Sequence, residues 1–217
     1  AVSDTYFTGF ITATWEPIIW FLLFLGATMF VVYKGVDNGI EKFSRVLMPL
    51  LLVLILGIAT FSLFLNHTDA AGVTRSGLQG LAVYVIPNFE GMTAKQFLVV
   101  LTDAMGQLFY SISVAMGIMI TYGSYMKKEI NIETSIHQIE FFDMGIAFLA
   151  GLMIIPAVFA FSGGDESALG QGPGLMFSTL PKIFDIMPGG AVLGTAFFIM
   201  VFFAALTSAI SLMETVV

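Results

Sequence analysis

Near the end of the chain, Ala204, Ser208 and Ser211 share one helical face at i, i+4 and i+7, with Thr207 at i+3 from Ala204. A backbone carbonyl from the Ala204 turn and the hydroxyls of Thr207 and Ser208 would make three hard oxygen ligands. Oxygen-only coordination of low charge suits a monovalent cation such as Na+. The same hydroxyls could instead bond back to the preceding turn, as Ser and Thr in apolar helices often do. Asp143 sits inside another apolar run, QIEFFDMGIAFLAGLMIIPAVFAF. A carboxylate there marks an ion path or a partner, unless it snorkels to the interface about one turn away. Glu140 fits snorkelling better, and Glu214 is a second acid within apolar sequence that needs a partner.

The third cluster is LTDAMGQLFYSISVAMGIMITYGSYMKK, residues 101–128. It is long enough to span a bilayer, yet Gln107, Ser111, Ser113 and Gly117 interrupt its middle. Side-chain hydrogen-bonding groups at mid-depth cost free energy unless protein or trapped water satisfies them. The segment therefore reads as one helix broken at Tyr110–Val114. A regular helix using its small residues for close packing is the alternative.

The elements that must position these groups follow from composition. Of 217 residues, 58% are hydrophobic and 11% charged, with a net charge of −7 and a mean hydropathy of +0.95. Soluble domains carry about a quarter charged residues, so this is an all-α integral membrane chain. The acidic balance and the lack of a basic patch leave no nucleic-acid partner to expect. Zero cysteines exclude disulfides and thiolate metal sites. Apolar runs at 15–33, 46–65, 99–122, 139–161 and 190–216 predict five spanning helices within a single membrane-domain fragment. Lys34, Lys42, Arg45, Lys127 and Lys128 flank the short links 34–45 and 127–138, which the positive-inside rule places in the cytoplasm. The longer links, 66–98 and 162–189, then lie outside. They carry helical patterning at Thr74–Val85 and Leu175–Met187 and a hinge-like run, GGDESALGQGPG, at 163–174.

Gly39 and Pro49 stand ten residues apart at the start of the second helix. Proline removes a helix hydrogen bond and loosens the turn before it. The pair predicts either a static kink or a hinge that unwinds to admit water. The start, AVSDTYF, lacks a signal-peptide pattern, and METVV is still apolar helix, so the chain is expected to be an excerpt of a longer polypeptide. No nucleophile elbow, zincin motif or P-loop is present, and His67 and His137 fall on links of opposite sides. No enzyme is expected.

The pieces AMGQLFYSISVAMG, ITYGSYMKK, FLAGLMIIPAVFAF and FFAALTSAISLM resemble the neurotransmitter:sodium symporters, bacterial branch, and KGVDNGIEKFSRVLMP resembles that family's link between its fourth and fifth helices. The resemblance runs over nearly the whole chain. It implies helices four to eight of a twelve-helix inverted-repeat transporter, in the bacterial cytoplasmic membrane, with the remaining helices as partners. It implies sodium-coupled symport of an amino acid by alternating access. A channel subunit and a non-transporting homologue remain alternatives.

By resemblance, Ser111 and Asp143 match ligands of a first Na+ site, and Ala204, Thr207 and Ser208 match the second. Tyr110, Ser113, Met116, Ser208 and Leu212 match the substrate pocket. Gln107 matches a residue beside the chloride site, and the unwinding read from Gly39 and Pro49 would open a water path to the second ion. Ala147 stands where chloride-dependent members carry Ser, which makes chloride dependence doubtful because Asp143 would already supply the negative charge. Met116 replaces a common aromatic. Its flexible thioether suits bulkier apolar or aromatic substrates.

Overall fold

Inside a bilayer the backbone has no solvent partner, so long apolar runs must close their own hydrogen bonds as helix. The computed structural model describes residues 5–68, 72–87, 89–164 and 172–217. Residues 165–171 of the hinge-like run lie outside these. The described helices are α1 (Thr5–Thr12), α2 (Glu16–Tyr33), α3 (Lys42–Leu63), α4 (Gly77–Val85), α5 (Ala94–Ser111), α6 (Ile118–Tyr125), α7 (Ile132–Phe161), α8 (Leu180–Ile186) and α9 (Gly190–Val216). Four stretches are long and apolar enough to cross a membrane: Glu16–Tyr33, Gly39–Leu63, Ile132–Phe161 and Gly190–Val216. The fifth expected span is divided between α5 and α6.

The break falls later than expected. Tyr110 and Ser111 remain helical, and the irregular piece is Ile112–Gly117, containing a 3₁₀ turn at Val114–Met116. Ser113 (φ 57°, ψ 28°) and Gly117 (φ 79°, ψ −14°) both turn left-handed. Two left-handed residues four apart stop one helix and restart another. The serines marked the region but not the stop, because the residue that ends the interruption is the glycine.

The short links are mostly helical. Val36–Glu41 forms a π turn that runs directly into α3, and α7 begins at Ile132 on an Asn131 cap whose side chain accepts from the Glu133 and Thr134 amides. Asp143 is therefore eleven residues into α7, about 16 Å along its axis at 1.5 Å per residue. The helix thus begins seven residues before the apolar run at Ile139, and Asp143 still lies about one turn into that run. In the longer links, Thr74–Ser76 is not helix but a strand paired antiparallel with Asn66–Thr68. Of residues 74–85 only Gly77–Val85 is helical, capped by a reciprocal Ser76–Gln79 box, whereas residues 175–186 are helical as expected, a π turn running into α8.

Association of helices in lipid rests on close packing, since lipid tails are as apolar as leucine. The main core lies where α3, α7, α8 and α9 meet, with Ile55, Ile58, Val158, Leu180 and Phe197 buried in it. A smaller core joins α2, the π turn and α9 through Val32, Ile40, Leu206 and Ile210. Gly39 enables the second contact: a Cβ there would stand 2.2 Å from the Val31 carbonyl oxygen. Pro49 sits exposed within α3. In the first longer link α4 lies against α7, with the Tyr84 ring stacked on Phe148 at 5.4 Å. By contrast, every described side chain of α5 is exposed.

Candidate functional site

The interrupted helix brings Ser111 to α7. Its hydroxyl donates to Asp143 Oδ1 at 2.7 Å, which satisfies a half-buried carboxylate within an apolar helix. The carboxylate's second oxygen and the hydroxyl's lone pairs together form an acidic, oxygen-only donor set. Such a set fits Na+ and offers nothing to softer metals.

On the other side of Ser111 lies a cavity of about 250 Å³ between α3, the interruption and α9. Among the expected site residues, Tyr110, Ser111, Ser113, Met116, Thr207, Ser208 and Leu212 all line it. Ile40, Ser44 and Met48 form the opposite wall, one turn apart along the π turn and α3. Sequence reading missed that wall because an i, i+4, i+8 stripe of Ile, Ser and Met is indistinguishable from ordinary packing. Among the described residues no charged side chain lines the cavity, which is ringed by hydroxyls and apolar groups.

Asp143 does not face that space. It lines a second, more open cavity of about 620 Å³ with Ser135, Gln138, Phe142 and Ala147. Ser111 belongs to both cavities and separates them. Gln107 is exposed on α5 and lies in neither.

The α9 cluster shows the back-bonded form. The Thr207 hydroxyl donates to the Ala204 carbonyl at 2.9 Å. Donation spends the proton and leaves the oxygen's lone pairs for a cation, so this rotamer fits an oxygen-coordinated ion. Ala204 itself is exposed and lines neither cavity. Glu214 finds a partner that sequence reading left unnamed: the Tyr125 hydroxyl donates to its Oε1 at 2.8 Å. His67 stacks on Phe161 at 4.4 Å, while His137 Nδ1 stands 3.2 Å from Glu140.

Ser113 is the one non-glycine residue with positive φ among the described residues. A β-branched side chain tolerates that conformation poorly, whereas asparagine visits it routinely. Ser113→Val is therefore expected to destabilise the protein by about 1–3 kcal/mol. Ser113→Asn should remain near neutral. Thermal melts of the detergent-solubilised variants compare the two, and equal melting points would show that the left-handed turn carries no strain.

A family model described as the sodium:neurotransmitter symporter family matches residues 9–217. The chain is 35% identical over 196 residues to an uncharacterised sodium-dependent transporter, YhdH, of Bacillus subtilis, a match covering 90% of this chain and 40% of that protein. It is 32% identical over 203 residues to an uncharacterised sodium-dependent transporter of Haemophilus influenzae, covering 94% and 41%. It is 27% identical over 210 residues to the human sodium- and chloride-dependent GABA transporter 2, covering 94% and 32%. The chain thus spans about 40% of the length of the bacterial relatives it matches. A helical membrane chain with an interrupted helix, matched over nearly all its length, belongs to the sodium:neurotransmitter symporter family.

Proposed function

We propose that this chain forms part of a sodium-coupled symporter that carries an amino acid with an apolar or aromatic side chain across the bacterial cytoplasmic membrane. The observation that carries the reading is the interruption at Ile112–Gly117. On one flank Ser111 bonds Asp143, and on the other the same residue opens on the cavity that holds Thr207 and Ser208. Helix ends freed at such a break present carbonyls to a cation and amides to a carboxylate.

In this reading Ser111 and Asp143 hold one sodium ion, and Ala204, Thr207 and Ser208 contribute to a second. Tyr110, Ser113, Met116, Ser208 and Leu212 contact the substrate, whose side chain is uncharged because no charged group among the described residues lines the cavity to match it. Asp143 places a fixed negative charge beside Ala147, so no chloride ion is required. The links around Lys34–Arg45 and Lys127–Gln138 face the cytoplasm, and Gly39 and Pro49 flank the segment that admits water to the second ion. The remaining helices of the transporter cover α5 and complete both ion sites.

Proteoliposomes of the full-length protein test this directly. An inward sodium gradient is expected to drive accumulation of a labelled neutral amino acid, and replacing chloride with gluconate should leave the rate unchanged. Uptake that ignores replacement of Na+ by K+, or an ohmic current without substrate coupling, overturns the proposal.

A further inference from the structure

Contacts from α6, the half-helix beyond the break, and from its N-cap Gly117 reach α9. Gly117 abuts the Thr215 methyl, Tyr125 bonds Glu214, and the Tyr122 hydroxyl meets the Ser211 hydroxyl at 2.8 Å. The last contact reaches toward the cation-binding turn. Ser211 Oγ also donates to the Thr207 carbonyl at 3.2 Å, and Ser211 lines the 250 Å³ cavity beside Thr207 and Ser208. A serine hydroxyl has one proton. With that proton on the Thr207 carbonyl, the proton between the two hydroxyls must come from Tyr122. The bonds therefore run in one direction, from the Tyr122 hydroxyl to Ser211 and from Ser211 to the Thr207 backbone.

We infer that Tyr122 is a positioning residue for the second sodium site, acting through Ser211 on the turn that carries Thr207 and Ser208. Back-donation from a serine tilts the carbonyl it engages and bends the helix locally. Tyr122 fixes the Ser211 rotamer that does this. It does not line the cavity, and its hydrogen bond to α9 is to Ser211, so its effect on sodium passes through that serine. Because Tyr122 stands on α6, displacement of that half-helix removes the clamp, and the sodium-binding turn of α9 senses the position of the broken helix.

The inference rests on the function proposed above, and the experiment separates the two. In the full-length protein, sodium-dependent thermal stabilisation is titrated without substrate for wild type, Tyr122→Phe, Ser211→Ala and the double variant. Loss of one hydrogen bond in the chain is expected to raise the sodium midpoint about three- to tenfold in each single variant. The double variant should match the singles, since both break the same relay. A wild-type midpoint in Tyr122→Phe, with only the sodium-free melting temperature lowered, reduces Tyr122 to a packing residue and overturns the inference. Multiplying effects in the double variant overturn it as well, because the residues then act separately. If the wild type shows no response to sodium, the proposed function fails first and the relay falls with it. Should Tyr122→Phe fail to fold, the Ser211→Ala midpoint alone decides, an unshifted value being the refutation.

Discussion

Asp143→Asn is expected to raise the sodium concentration that half-saturates uptake by roughly thirtyfold, because it deletes the one full negative charge beside the interruption. The substitution keeps the side chain's shape and an oxygen that accepts from Ser111, so the 2.7 Å contact survives and only the charge is lost. A unit charge a few ångströms from a cation at a partly buried site contributes on the order of 2–4 kcal/mol. Ser111→Ala removes a neutral ligand and leaves the charge, so its effect should be smaller, about three- to tenfold. The ranking discriminates. If the alanine variant loses more sodium affinity than the asparagine variant, Asp143 is only a hydrogen-bond acceptor for a strained helix end. Titration of initial uptake rates against sodium at fixed ionic strength measures both.

Gly117→Ala is expected to reduce uptake at least tenfold while leaving the protein in the membrane. Two separable costs meet at this residue. Its backbone is left-handed, φ 79°, where any Cβ is strained by about 1–2 kcal/mol. Its Cβ would also stand 2.9 Å from the Thr215 Cγ2, closer than non-bonded carbons approach. Thr215→Ser removes that methyl and keeps the hydroxyl that donates to the Ser211 carbonyl. In the Thr215→Ser background the alanine should therefore recover part of its activity, and the remainder reports the backbone strain. Full recovery would show that the left-handed turn is dispensable. No recovery would show that packing on Thr215 is.

The all-helical membrane architecture was legible because apolar length is a strong constraint in lipid. The interruption was legible too, since Ser111, Ser113 and Gly117 have little reason to cluster at mid-span otherwise. Its placement was misjudged because a stop is set by backbone conformation, and Gly117 and Ser113 do not announce a left-handed turn by their identity alone. Asp143 was picked out as an isolated carboxylate, but the start of α7 was not, because the Asn131 cap sets it in polar sequence ahead of the apolar run. The strand pairing of Asn66–Thr68 with Thr74–Ser76 left no periodic trace, being three residues on each side. The tyrosine partners of Ser211 and Glu214 were invisible for another reason. Both are contacts between residues 89 apart, and an isolated sequence holds no record of which helices lie side by side.

The π turn at Val36–Glu41 holds one residue more than an α-helical turn of the same rise. A widened turn passes along a helix when its carbonyls exchange amide partners one at a time. Pro49, with no amide hydrogen to lose, is an inexpensive place for it to pass. Moving the surplus past a residue rotates that residue by about 100° relative to its neighbours. Ile40, Ser44 and Met48 would then swing off the cavity and hand its wall to the adjoining stripe. The segment could thus change what the cavity faces by rewinding, with every turn still wound.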